Sequence, residues 1–165
     1  MLGIYKWAKS VFDPENGKGK DTVLKRIEYA QVLVNMCFQY LENGAYLSSK
    51  GVFGWDEKRQ NRAWIWSSRF WMAHVVLDFG RLGRELVLRR EIGSRIGEGG
   101  EATALEESKW RAAWGREMVV NSAWAPLTAH WSVDGGLITD FWVGLCGTVV
   151  GVLGMRQRWR GAGMV

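Results

Sequence analysis

The residues that could do chemistry are few, and their spacing does not suit it. His74 and His130 lie far apart, and neither has a second histidine, a cysteine pair or a carboxylate at the spacing a metal site needs. Cys37 and Cys146 each sit in an apolar segment with no C-x-x-C, which reads as two plain buried thiols. Ser67 and Ser68 adjoin Arg69, but no base stands where it would activate a hydroxyl. The run RIGEGG at residues 95–100 has the glycines of a phosphate loop without the Lys-Ser/Thr that follows one. No G-x-S-x-G elbow or dinucleotide fingerprint occurs. No catalytic residue, metal ligand or cofactor is expected, and the chain does not read as an enzyme.

What the polar residues do show is a pattern of position. Ser67, His74, Asp78, Arg81 and Glu85 follow steps of 7, 4, 3 and 4, which places them in one narrow stripe along a helix over residues 64–80 and beyond. Arg69 falls off that stripe and would need to snorkel or find an acidic partner if the helix met lipid. Before this segment, Asp21 reads as an N-cap opening a helix over residues 21–42. In it Val23, Ile27, Ala30, Val34, Cys37 and Leu41 step 4, 3, 4, 3 and 4 along one face. Lys25, Arg26, Glu28, Gln31, Asn35, Gln39 and Glu42 occupy the other side, so this helix suits a bundle or a membrane interface but not a span.

Residues 13–20 read as a turn after a short first helix, Gly44 as the end or an interruption of the second, and Asp56 to Arg59 as the charged start of the third. Residues 92–102 carry four glycines and read as a flexible internal loop within one helical domain spanning residues 1–165. A further amphipathic helix is expected over about Ala104 to Val120, interrupted later by Pro126, with a turn at Asp134, Gly135 and Gly136.

The run from Leu137 to Met155 is apolar apart from Thr139, Asp140 and Thr148, and Arg156, Arg158 and Arg160 follow it. As a helix, about nineteen residues come close to the roughly 30 Å hydrocarbon thickness of a bilayer. Gly144, Gly147, Gly151 and Gly154 recur at steps of three and four and clear one side of it, a face on which a second helix could pack closely. The fold class expected is therefore all-α: a membrane-associated bundle with amphipathic helices and one or two transmembrane or deeply inserted helices.

Composition agrees with contact to lipid. Eleven tryptophans are far more than usual for 165 residues, and indole rings favour the membrane–water interface. Trp64, Trp71, Trp131, Trp142 and Trp159, with Arg156, Arg158 and Arg160, are the expected interfacial anchors. A net charge of +5 suits an anionic surface, whether headgroups or nucleic acid. Acids are mixed among the bases and no nucleic-acid-binding motif occurs, so no nucleic-acid partner is expected. The mean hydropathy of −0.15 is low for a multi-spanning protein. MLGIYKWAKS lacks the apolar core of a signal peptide, and GAGMV is no peroxisomal-matrix or endoplasmic-reticulum retention signal, so insertion is expected to use internal segments.

Three stretches then resemble a known family. They are YLENGAYLSSKGVFGW at 40–55, WIWSSRFWMAHVVLDFGRL at 64–82, and APLTAHWSVDGGLITDFWVGLCGTVVGVLGMRQRW at 125–159. Their order and spacing are similar to those of the peroxisomal biogenesis factor 11 family, in its fungal type. Tyr40, Asn43 or Gly44, Leu47, Gly51, Ser68, Arg69, Phe70, Trp71, Trp131, Gly144, Gly147 and Gly151 stand at the matching places. The resemblance implies a peroxisomal membrane protein that elongates the organelle before division, with both termini cytosolic. It implies homo-oligomers and recruitment of a fission adaptor and a dynamin-related GTPase. Some members are linked instead to pore formation. On this reading the phospholipid bilayer is the partner, the face from Val23 to Leu41 is a membrane wedge, and the glycine face is a self-association surface. The alternatives are a small metabolite channel lined by Ser67, His74 and Asp78, and a soluble all-helical interaction module. Arg81, Arg84, Arg89, Arg90 and Arg95 would break the positive-inside bias if residues 64–80 spanned, a conflict that an interfacial helix removes.

Overall fold

The computed structural model describes residues 2–13, 15, 19–96 and 101–161, with side chains described for fewer at the ends of these segments. The described residues are all-α, in five helices: α1 (Leu2–Phe12), α2 (Thr22–Ser49), α3 (Glu57–Ile96), α4 (Glu101–Trp131) and α5 (Asp140–Gly161). Two compact units form, Met1–Arg84 and Glu85–Val165, and the boundary between them falls inside α3.

Asp21 caps α2 as its sequence position predicts. Its carboxylate accepts from the backbone N–H of Val23 at 3.0 Å and of Leu24 at 3.2 Å, satisfying donors that the first turn leaves orphaned. Gly44, by contrast, does not end the helix. It is buried within α2, and a Cβ there would collide with the Trp55 ring, so Gly44 is the seat on which Trp55 rests. The helix stops at Gly51 instead, whose φ of +74° favours glycine. The Gly51 N–H donates to Ser48 O at 3.0 Å and the Val52 N–H to Leu47 O at 2.9 Å, closing the end of the helix. Asp56 then caps α3 by accepting from the Arg59 N–H at 2.8 Å.

The segment expected as a loop over 92–102 is helical at both ends, since α3 continues to Ile96 and α4 starts at Glu101. Residues 97–100, which hold most of its glycines, lie outside the described residues. The helix expected to end near Val120 runs on through Pro126 to Trp131. Proline there removes one backbone donor. Around it, side chains of the helix add bonds to carbonyls: Asn121 Nδ2 donates to Glu117 O, Thr128 Oγ1 to Ala125 O and Ser132 Oγ to Thr128 O.

Among the described residues, no helix is long and apolar enough to cross a membrane, which corrects the expectation of a transmembrane segment. The reason lies in where α5 begins. Leu137 and Ile138 belong to the preceding turn, where both backbone N–H groups donate to His130 Nδ1, at 2.9 and 3.1 Å. Only Phe141 to Met155 remains as apolar helix, about fifteen residues or roughly 22 Å, against a hydrocarbon core of roughly 30 Å. In α3 the apolar residues of 64–80 are interrupted by Arg69 and Asp78 and flanked by Arg62 and Arg81.

Candidate membrane-contact site

Within the first unit, α2 meets α3 through polar groups. Gln31 Nε2 donates to Asp78 Oδ1 at 2.9 Å, and Asn35 Nδ2 lies 2.8 Å from His74 Nδ1. The Arg81 Nε–H donates to the same Asp78 oxygen at 2.8 Å, and Arg84 closes a two-pronged pair on Asp21, its NH2 group 2.8 Å from Oδ2. His74 and Asp78 of the stripe thus face α2, and Ser67 is buried and donates within α3 to Trp64 O at 2.8 Å. His74 and Asp78, with Trp7, Glu28, Gln31, Asn35 and Arg81, also line an open cavity of about 460 Å³. Gln31, Ser48 and Ser67 are all among the buried residues of this unit, beside Val32, Ala45, Ala63, Val75 and Leu82.

Charge and burial tune this contact. Arg84 holds the Asp21 carboxyl well below its ordinary 3.8, at about 2, with help from the two backbone N–H groups it caps. Burial pushes the His74 imidazole below its ordinary 6.5. Asp78 works against that shift and Arg81 with it. The shift favours the neutral imidazole, whose Nε2–H tautomer lets Nδ1 accept from the Asn35 amide. The Trp7 ring of α1 stands edge-on to His74 with centroids 6.4 Å apart, and Phe12 stacks on Tyr29 at 5.4 Å. Through these two contacts α1 lies on the α2–α3 pair.

With the polar groups turned inward, large apolar side chains face outward. On α2 these are Tyr29, Leu33, Met36 and Tyr40, spaced 4, 3 and 4, with Leu33 63% and Tyr40 71% exposed. Each lies one residue before Ala30, Val34, Cys37 and Leu41 of the expected wedge face, a rotation of about 100° around the helix. The expected face is half-buried at Ile27, Ala30, Val34, Cys37 and Leu41, and exposed at Val23. On α3, Trp64, Trp66 and Val76 are exposed, whereas Trp71 is half-buried against Phe38 of α2, centroids 5.4 Å apart.

In the second unit, α5 packs on α4. Val143, Cys146, Val149, Val150 and Leu153 of α5 are half-buried, while Phe141, Leu145, Val152, Met155 and Trp159 are exposed, Phe141 at 70% and Met155 at 65%. A Cβ built at Gly144, Gly147, Gly151 or Gly154 would meet nothing within 4 Å, so the glycine face is open. Trp131 and Trp142 are exposed, as are Arg156 and Arg158; the Arg160 side chain lies outside the described residues. Arg89 Nε and Arg111 Nε share the Glu107 carboxylate at 2.8 and 2.9 Å, and hold it below its ordinary range.

Two functional roles were invisible to residue-by-residue reading. His130 fixes the α4–α5 turn by accepting two backbone N–H groups, and Gly136, with φ of +73°, leaves room for its ring. The signal available was the short spacing from His130 to the Gly135-Gly136 turn.

No solved structure matches the chain. An uncharacterized protein of Schizosaccharomyces pombe is 27% identical over 127 residues, covering 77% of this chain and 52% of that protein. The chain thus spans about half the length of the curated relative it matches. The family model described as peroxisomal biogenesis factor 11 (PEX11) matches residues 2–159. That match covers nearly all of α1 to α5, and the chain accordingly belongs to the peroxisomal biogenesis factor 11 family, whose proteins reside in the peroxisomal membrane.

Proposed function

We propose that this peroxisome biogenesis factor elongates peroxisomes and promotes their division by pressing apolar helix faces into one leaflet at headgroup depth and by self-associating through the glycine face of α5. The observation that carries the reading is the reversal of polarity in the first unit: Gln31, Asn35, His74 and Asp78 meet between helices, while Leu33 and Met36 of α2 point away from them. In water this arrangement leaves apolar surface exposed; against lipid the same residues are in their preferred medium.

Leu33 and Met36 moved fully out of water contribute at most about 1.5–3 kcal/mol each, and the amphipathic Tyr40 ring adds a contact at headgroup depth. A wedge occupying one leaflet expands it relative to the other and favours curvature. The open glycine face supports close approach of a second α5, which would gather wedges at one place. Recruitment of a fission adaptor and a dynamin-related GTPase would follow on that assembled surface.

The test is imaging of the tagged chain in fungal cells against a peroxisomal membrane marker at low and raised expression. The reading expects longer or more numerous peroxisomes with the natural chain. It expects the paired change Leu33→Asp and Met36→Asp to abolish that effect, because two buried apolar contacts and two added charges cost at least about 4 kcal/mol, or roughly a thousandfold in binding. Unchanged organelles with the natural chain, or equal elongation by the variant, would overturn it.

A further inference from the structure

An apolar groove of about 430 Å³ opens between the second half of α2 and the first turns of α3, and two guanidiniums stand on its rim. Its floor is Leu41 and Ala63, and its walls are the aromatic rings of Tyr40, Trp55, Trp66 and Phe70. Arg59, Arg62, Ala63, Trp66 and Phe70 follow at steps of 3, 1, 3 and 4, so α3 presents them along one face. By the same spacing Glu57 falls on the opposite side of the helix, away from the groove.

The groove is held open by packing. Trp55 is seated on Gly44, and its carbonyl accepts from Gln60 Nε2 at 3.0 Å. The Arg59 guanidinium lies 4.7 Å from the centre of the Trp55 ring, which fixes its position at the rim. Arg59 and Arg62 are exposed, and among the described residues neither pairs with a carboxylate. A guanidinium offers a planar fork that matches phosphate oxygens. Two of them beside an aromatic trough form a site with a charged head end and an apolar tail end.

We infer that this groove binds one anionic glycerophospholipid, its phosphate between Arg59 and Arg62 and an acyl chain along Tyr40, Trp66 and Phe70. This rests on the membrane reading above and adds selectivity to it: a general apolar face takes any lipid, whereas this groove selects headgroup charge. The occupant is a lipid rather than free phosphate because most of the groove wall is aromatic and aliphatic, which a phosphate ion alone would leave unfilled.

The full chain would be floated with vesicles of phosphatidylcholine, with and without about one-fifth phosphatidylinositol, a trace of either lipid carrying a photoactivatable acyl chain whose cross-links are mapped by mass spectrometry. The phosphatidylinositol probe is expected to label the segments around Tyr40 and Trp66. The paired change Arg59→Gln and Arg62→Gln should lower that labelling at least about tenfold, and Arg62→Gln alone, which leaves the Trp55 stack intact, at least about threefold. The charge-matched control Lys25→Gln with Arg26→Gln should leave it within about twofold. Equal labelling by the phosphatidylcholine probe, or an equal loss in the control, would overturn the site while leaving the membrane reading standing. A chain that floats with neither vesicle would sink both.

Discussion

At the scale of single residues, what a side chain does here depends on a partner far away in the chain. His74 carries no motif, yet it joins α2 to α3 through Asn35, thirty-nine residues away, and supports Trp7 of α1. Because burial holds its folded pKa below 6.5, the unfolded chain takes up a proton first as pH falls. Its stabilising effect is complete above pH 6.5 and is lost as pH drops below that value through the lower folded pKa. Asp21 follows with the carboxylate sign: the stability it supplies is present above 3.8 and lost as pH falls toward about 2. We therefore expect the thermal midpoint of the detergent-solubilised chain, followed by circular dichroism, to fall in two separate steps on acidification. His74→Gln should flatten the first step and spare the second. Asp21 was legible in the sequence because capping is local: the carboxylate bonds N–H groups two and three residues on. The roles of His74, His130 and Gly44 were not, because each is set by a ring or an amide that only the fold brings near.

At the scale of elements, periodicity locates the helices and the polar stripe of α3, while the most exposed apolar side chains of α2 lie about 100° around the helix from the face it selects. The expected wedge from Val23 to Leu41 follows the apolar period of the helix alone. Gln31 and Asn35 are used against the stripe of α3, which leaves Leu33 and Met36 on the outward side of α2. Two polar stripes of matching spacing on successive helices were the signal for this pairing. The length of α5 was misjudged because hydropathy counts Leu137 and Ile138, whereas His130 binds their N–H groups in a turn. Helix α5 offers its own test. Since a Cβ at Gly147 or Gly151 meets nothing within 4 Å, Gly147→Leu with Gly151→Leu adds each side chain on an open face and should keep the fold and raise helix stability by about 1 kcal/mol per site. The same pair should abolish chemical cross-linking between copies in vesicles, by blocking backbone approach. Cross-linked oligomers at the natural level would show that the glycine face is not the contact.

At the scale of the whole molecule, the two compact units share one design, in which few side chains are fully buried and large apolar ones are left outside. The buried positions include Asn121, Thr128 and Ser132 in the second unit as well as Gln31, Ser48 and Ser67 in the first. Composition had foreshadowed this with its tryptophans and its charge of +5. Family membership supplies the compartment, and the proposed role rests on the outward apolar faces. The most direct measurement is electron microscopy of vesicles of peroxisome-like composition incubated with the purified chain and with the Leu33→Asp, Met36→Asp variant at equal protein-to-lipid ratio. The account predicts narrow tubules with the natural chain and round vesicles with the variant; round vesicles with both, or tubules with both, would contradict it.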